Sequence, residues 1–218
     1  MIHHTHRFAV VALSCALCSC VPWTIRPLDS GEDVSKTAAT LSPAAYVNSI
    51  WSSQFLTTIE KSAVDVRTFL DAYAKSPADA LARWGRHNPN GPVYLTVKGE
   101  GRVIGIDTRS KVGLALLDVA PFDGKPDVTV QIGPVLRGTS LRDATGLVRF
   151  TDFVNQLQFA DVANELNDRV LKAVLSPIPM ATLPGKSVAF AGTAVGEVNS
   201  APSVRELIPV LLMIQESR

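Results

Sequence analysis

From Val93 onward the apolar residues of this chain change their spacing. Upstream they recur every three to four positions, but in VYLTVKGEGRVIGID (93–107) they alternate as Val93, Leu95 and Val97, cross Gly99 and Gly101, and resume at Val103. A period of two marks a half-buried strand. A strand this long, with two glycines at its middle, reads as one that bends or bulges at a barrel corner. That single segment restricts the chain to folds in which a sheet curls on itself.

The flanking segments narrow the choice. Ser42-Pro43 offers an N-cap with proline at the first helical position, and Val47, Ile50, Trp51, Phe55 and Ile59 follow at helical spacing. Ser62 with Asp65 resembles a capping box for a second stripe of Val66, Phe69, Leu70 and Tyr73. Ser76-Pro77 opens a short third helix that carries Leu81 and Trp84 and ends at Gly85. The aromatic residues sit on these stripes and are expected in the core. Downstream, KVGLALLDV and DVTVQIG read as strands. Thr151 to Val174 reads as a long helix with Glu165–Arg169 and Asp168–Lys172 pairs on its outer face. KSVAFAGTA and ELIPVLLMIQ are closing strands, and Pro209 marks an edge or bulge in the second. Three strands, a helix and two strands is the order of the OB-fold, a five-stranded, partly open Greek-key barrel with its helix between strands three and four. The expected class is α+β, with a small helical subdomain over residues 43–85 and an OB-like domain over 92–218.

The amino terminus speaks to location. MIHHTHR carries one fixed positive charge, Arg7, and FAVVALSCAL (Phe8 to Leu17) follows as ten uncharged residues. That is too short for a bilayer core, which takes roughly 20 apolar residues, and has the size of a signal-peptide h-region. Leu17-Cys18-Ser19-Cys20 then resembles a lipobox, which makes Cys20 the acylated first residue of the mature chain. Cys15 and Cys18 fit less well, since Ala12 and Cys15 would stand at minus three and a bulky Leu17 would precede Cys18. Residues 1–19 are therefore expected to be a lipoprotein signal peptide, and 20–41, polar and without a sustained apolar period, a lipidated tether. Multiple acyl chains anchor stably where one binds marginally, so the body is expected on the periplasmic side of a bacterial envelope membrane. Val21 stands where an aspartate resembles an inner-membrane retention signal, which points towards the outer membrane.

Composition closes several routes to chemistry. Without residues 1–19 the chain has 218 − 19 = 199 residues, and loss of Arg7 takes Lys plus Arg from 21 to 20, equal to Asp plus Glu at 20. A neutral body has neither the electrostatic footprint of a nucleic-acid binder nor a polybasic membrane patch. Of four histidines, three (His3, His4, His6) leave with the signal peptide, and of three cysteines only Cys20 stays, taken by lipid. No disulfide framework, ordinary zinc site or Cys–His nucleophile can be assembled, and a serine triad would need His87, which sits in the turn-like RHNPNG. No metal and no cofactor is expected.

GPVLRGTSLRDATG (133–146) concentrates polar chemistry. Its glycines have P-loop spacing, but Thr139 stands where the lysine is required, so a Walker motif is rejected. Arg137, Thr139, Arg142 and Asp143 then have two readings. Arginine forks could grip a carboxylate, a phosphate or vicinal hydroxyls ahead of a helix whose amino end favours anions. Alternatively one arginine pairs with Asp143 and the glycines permit tight turns, the internal polar closure that such loops usually need. Asn155 and Gln156, in FVNQLQF, add amides expected one or two turns into the long helix.

The stretches VKGEGRVIGIDTRS, VQIGPVLRGTSLRDA and FTDFVNQLQFADVANELNDRV, with AYVNSIWSS upstream and LPGKSVAFAGTA downstream, resemble a family of predicted bacterial periplasmic lipoproteins, the domain of unknown function numbered 2291. The resemblance implies a small helical subdomain with an OB-like part. It implies no established activity, and its members are said to accompany genes of sugar-type ABC importers. The function expected first is thus a non-enzymatic accessory or binding module, tethered at Cys20, whose partner is such an importer or its sugar-binding component. The alternatives are a sensor that binds a sugar or anion at Arg137 and Arg142, and a hydrolase using carboxylates such as Asp107, Asp118 and Asp143, among which the sequence singles out no pair.

Overall fold

The computed structural model describes residues 42–88, 91–198 and 203–215. The segments read as signal peptide and tether, with Cys20, lie outside the described residues. None of the described helices is long and apolar enough to cross a membrane.

The Ser42 hydroxyl accepts from the Ala45 amide and opens α1 (Pro43–Ile50), which continues through a π-helical turn (Trp51–Phe55) into α2 (Leu56–Ser62). The next cap is not the serine the sequence suggests. The Ser62 hydroxyl donates back to the Thr58 carbonyl at 2.7 Å, and the Asp65 carboxylate accepts from the Thr68 amide to open α3 (Val66–Lys75). A serine in the last turn satisfies a local carbonyl, so the acidic residue nearer the next stripe takes the cap. Val64–Asp65 forms the short strand β1, and Ser76 caps α4 (Pro77–Trp84). His87, read as a turn residue, is exposed in a two-residue strand, β2 (Arg86–His87).

The alternating segment is one strand, β3 (Val93–Asp107). After it come β4 (Leu114–Asp118), β5 (Val128–Gln131), α5 (Ser140–Thr145), α6 (Gln156–Val170), β6 (Ser187–Gly196) and β7 (Val204–Gln215). β3 pairs antiparallel with β6 over 93–102 and with β4 over 102–107, so it changes partner along its length. β4 pairs with β5, β5 runs parallel to β7, and β7 pairs with β6. The pairings therefore pass from β3 through β4, β5, β7 and β6 back to β3, with β1 and β2 added outside on β3.

The register shift in β3 falls between Val103 and Gly105, and Gly99 and Gly101 have another purpose. A Cβ on Gly99 would strike the Val66 side chain, and one on Gly101 would sit 3.0 Å from the Asp118 carbonyl oxygen. These glycines let neighbouring elements approach the strand. Pro209 marks a bulge, as read: the register of β6 against β7 shifts between Ala191 and Gly192, opposite Pro209. A bulge is where a strand tolerates a residue without an N–H.

The long helix is shorter than its apolar period suggests. Phe150–Asp152 is a 3-10 turn, Asn155 is extended, and its side chain accepts from the Gln158 amide at 2.9 Å, so α6 begins at Gln156. Asparagine bonds to nearby backbone more readily than it propagates a helix. Arg169, expected opposite Glu165, instead donates to the Asn48 side chain at 2.5 Å and lies over the Trp51 ring. The helices and strands share one core, in which Phe55, Ile59 and Phe69 join Val97, Leu117, Phe190 and Leu207.

Candidate functional site

Gln131, the last residue of β5, is only 1 % exposed and uses its whole amide. Its Nε2 donates to the carbonyls of Arg137 at 3.0 Å and Glu206 at 3.1 Å, while its Oε1 accepts from the Arg137 amide at 2.8 Å. From the other side, Asn167 of α6 donates to the Gly138 carbonyl at 3.1 Å. The loop from Gly133 to Thr139 is thus pinned at adjacent residues by amides from a strand and a helix; that of Gln131 has its partners in place and holds backbone firmly, whereas the buried Oδ1 of Asn167 has no protein partner.

Glu206 is placed by a bulge. Val128 pairs with Val204 but Val130 with Leu207, so β7 has one residue more than β5 in this stretch. Glu206 takes a positive φ of 49°, and its amide donates to the Thr129 hydroxyl at 2.8 Å. A non-glycine residue in the left-handed region is strained and persists only where the surroundings hold it. The result sets the Glu206 carboxylate against Arg137, whose Nη2 donates to both oxygens at 3.0 and 3.2 Å. Both side chains keep half or so of their surface in solvent, 67 % for Arg137 and 45 % for Glu206.

The pair lies on a cleft of about 830 Å³. Arg205 and Lys125 bring two more cations to it, and Asp123, Asp127 and Glu197 bring further carboxylates. Some of these charges are occupied: Asp127 accepts from the Val119 amide at 2.8 Å, and Lys125 lies 3.7 Å from Asp123. Thr139 also lines the cleft, its hydroxyl 3.4 Å from that of Tyr94. Burial, ahead of the neighbouring charges, pushes the Tyr94 phenol above its ordinary pKa, so it stays protonated and able to donate.

The other sequence candidates lie elsewhere. Arg142 donates to both Asp143 oxygens, at 2.7 and 3.0 Å, and to the Phe159 carbonyl at 3.1 Å. Side chains only 11 % and 10 % exposed leave this pair closed to solvent, and neither residue lines the cleft. Asn155 is the cap of α6, and Gln156 is exposed on its first turn instead of lying deeper in the helix. The structure therefore brings Arg137 and Thr139 to one site and separates Arg142, Asp143, Asn155 and Gln156 from it. The carboxylates Asp107, Asp118 and Asp143 do not converge either. Asp107 is gripped by Arg109, Asp118 is buried and accepts from the amides of Asp123 and Gly124, and Asp143 is held by Arg142. No group of three or more His, Cys, Asp or Glu among the described residues is arranged to hold a metal ion.

The sequence does not single out Gln131, Glu206 or Asn167. A glutamine ending an apolar strand, DVTVQIG, was a faint signal for a buried polar hub. Nothing local points to Glu206, which meets Arg137 from 69 positions away. A second hollow, also about 830 Å³, lies between α2 and the strands β3, β6 and β7, lined largely by Leu56, Ile59, Val66, Phe190 and Leu211. It also carries the charged residues Glu60, Asp65, Arg67, Lys98 and Glu100, none of which the sequence marks out as a site.

A crystal structure of an OB-fold protein from Thermotoga maritima is similar to this chain, with 22 % identity, a TM-score of 0.67, and coverage of 80 % of this chain and 99 % of that one. At that identity the likeness speaks to the fold alone. No curated protein matches the chain. A family profile described as "Predicted periplasmic lipoprotein (DUF2291)" matches residues 9–213, nearly the whole length. The chain belongs to this family of predicted periplasmic lipoproteins, an α+β protein with the OB-fold.

Proposed function

We propose that the protein is a non-enzymatic binding module anchored through Cys20, and that the cleft beside Arg137 takes a small polar solute bearing a carboxylate or phosphate. In this reading the five paired strands make an OB-like barrel, and α6 is the helix inserted between its third and fourth members. The observation that carries the proposal is the Arg137–Glu206 pair: two solvent-facing charges whose backbones are fixed by the buried amide of Gln131. An exposed pair of this kind adds little to stability, about 0–1 kcal/mol. A strained bulge and a buried hub are a large apparatus for so small a return. An incoming anion would take the Arg137 fork in place of Glu206, a bidentate contact that arginine makes well. The volume also suits a small ligand, since such pockets run to roughly 300–1,000 Å³.

A hydrolytic reading has less support, because the three carboxylates first considered are separately engaged in loops and ion pairs. An accessory role beside a sugar-type importer draws on the envelope address and on no residue of the cleft.

The test is a panel of sugar acids, sugar phosphates, amino acids and neutral sugars, read by thermal shift and calorimetry. A true ligand at a hundred times its Kd should stabilise the wild type by about 2.7 kcal/mol. Arg137→Ala should abolish the effect, and Glu206→Gln should tighten binding by removing the internal competitor. No stabilisation by any acidic ligand, or full binding by Arg137→Ala, overturns the proposal.

A further inference from the structure

Phe150, Val154 and Leu157 are 54 %, 56 % and 70 % exposed, three apolar side chains on the segment that leads into α6 and forms its first turn. The segment is supported from beneath. Phe150 meets Phe159 edge-on at 5.5 Å between ring centres, Phe153 lies 5.9 Å from Phe159 and 5.1 Å from Tyr46, and Phe159 carries the Arg142 guanidinium. Its charge is nil: Arg149 and Asp152 pair at 2.9 Å, and FVNQLQFA (153–160) has no ionisable side chain. Exposed apolar groups on a neutral, well-supported segment call for a covering surface of the same character.

The direction of α1 says what lies nearest. Tyr46, in its first half, packs on Phe153 ahead of α6, and its hydroxyl donates to the Leu147 carbonyl at 3.3 Å. Asn48 and, just beyond α1, Trp51 meet Arg169 near the end of α6. The Tyr46 amide donates to the Ser42 carbonyl at 2.9 Å, so Ser42 stands one helical turn from the residue that packs on Phe153, on the side of the domain that bears the exposed residues. From Ser42 the chain leads back to Cys20 through residues 21–41, a stretch that spans at most ~75 Å even if fully extended. The end of the domain leashed to the bilayer is the end with the apolar patch.

We infer that Phe150, Val154 and Leu157 seat the domain on the phospholipid bilayer that holds its anchor, entering the boundary between headgroups and acyl chains. This rests on the reading of Cys20 as the lipidated residue. Leucine and phenylalanine are suited to that depth, and the amides of Asn155 and Gln156 to the headgroups beside it. Since the segment is neutral, the seat depends on apolar contact and not on anionic lipid.

The experiment uses the lipidated protein as matured in cells, reconstituted into phosphatidylethanolamine/phosphatidylglycerol vesicles. Acylation of Cys20 leaves no other thiol in the mature chain, so Leu157→Cys and, as an exposed control in the loop between β4 and β5, Phe122→Cys each accept a single environment-sensitive fluorophore. Flotation reports the anchor, and quenching by nitroxide-labelled lipid reports the seat. Quenching several-fold stronger at position 157 than at 122, unchanged in high salt, is the expected result. Flotation with equal, weak quenching at both positions overturns the seat and leaves the anchor standing. Absence of flotation overturns the anchor reading and the seat with it. A label that is wet in these vesicles but shielded in native membranes assigns the patch to a protein partner and likewise overturns the inference.

Discussion

The Arg142 guanidinium lies 3.8 Å from the centre of the Phe159 ring and donates to the Phe159 carbonyl. With its fork on Asp143 as well, this arginine ties α5 to α6 and has no hand left for a ligand. Arg137, five residues earlier, is in the opposite situation: it faces solvent across a cleft and holds one carboxylate. The same side-chain chemistry thus closes the fold at one position and stays available at the other, according to burial.

Truncation should separate the two arginines. Arg142→Ala strands the Asp143 carboxylate in a nearly closed site and should destabilise by about 3 kcal/mol, as for other broken buried pairs. Arg142→Lys should recover only part of this, because an ammonium cannot reproduce the fork. Arg137→Ala should change stability by less than about 1 kcal/mol. Urea unfolding of the three variants checks the order.

Gln131→Leu keeps the volume and removes the hub. The Arg137 amide and the carbonyls of Arg137 and Glu206 would lose a partner together, and unsatisfied buried groups cost about 1–3 kcal/mol each before relaxation. A net loss of about 3 kcal/mol is expected, with faster hydrogen exchange at the Arg137 amide. An unchanged exchange rate would show that the loop holds its shape by other means.

Gly192→Ala places a Cβ against the Ile208 carbonyl oxygen and the Pro209 backbone, neither of which can yield without moving β7. Overpacking of this kind costs about 1–3 kcal/mol, and the upper end is expected here. Gly105→Ala, whose new Cβ would have only the Leu116 side chain within reach at 3.8 Å, should be close to neutral. Thermal midpoints measured side by side test the contrast.

Glu206→Gly relieves the positive φ and forfeits only an exposed ion pair. The variant should gain about 1 kcal/mol, the scale of the left-handed penalty for an L-residue. A more stable protein that no longer competes for Arg137 would also show that the wild type keeps the strain for a purpose other than stability.

The Asp107 carboxyl should titrate near 2, below its ordinary value of 3.8, because the Arg109 side chain and amide donate to it. A depressed folded pKa means that its stabilising contribution is present above the unfolded value and fades as pH falls from about 4 towards 2. Arg109 is almost wholly in solvent, 91 % exposed, and screening there keeps that contribution small. Carboxyl-carbon NMR against pH, with Arg109→Ala as the comparison, should show the midpoint return to about 4.

Much of the architecture is written in short-range pattern. The caps at Ser42 and Ser76, the alternation over 93–107 and the bulge at Pro209 depend on contacts within a few residues or on a missing N–H, and such signals survive translation into structure. Local reading failed where two polar groups competed for one local job. Asp65 displaced Ser62 as a cap, and Asn155 began a helix that the apolar period alone would have started earlier.

The amino-acid sequence by itself determined the order of the five main strands and the long helix among them, and the resemblance to a lipoprotein family, whereas β1, β2 and α5 carry no pattern long enough to read. The tertiary structure alone decided which arginine is spent. Arg142 closes on its sequence neighbour and Phe159 because the packing of α5 on α6 buries it, whereas Arg137 meets Glu206 only because a one-residue bulge in β7 turns that carboxylate towards the cleft. Register between distant strands is a property of the whole assembled sheet, so no window of sequence contains it.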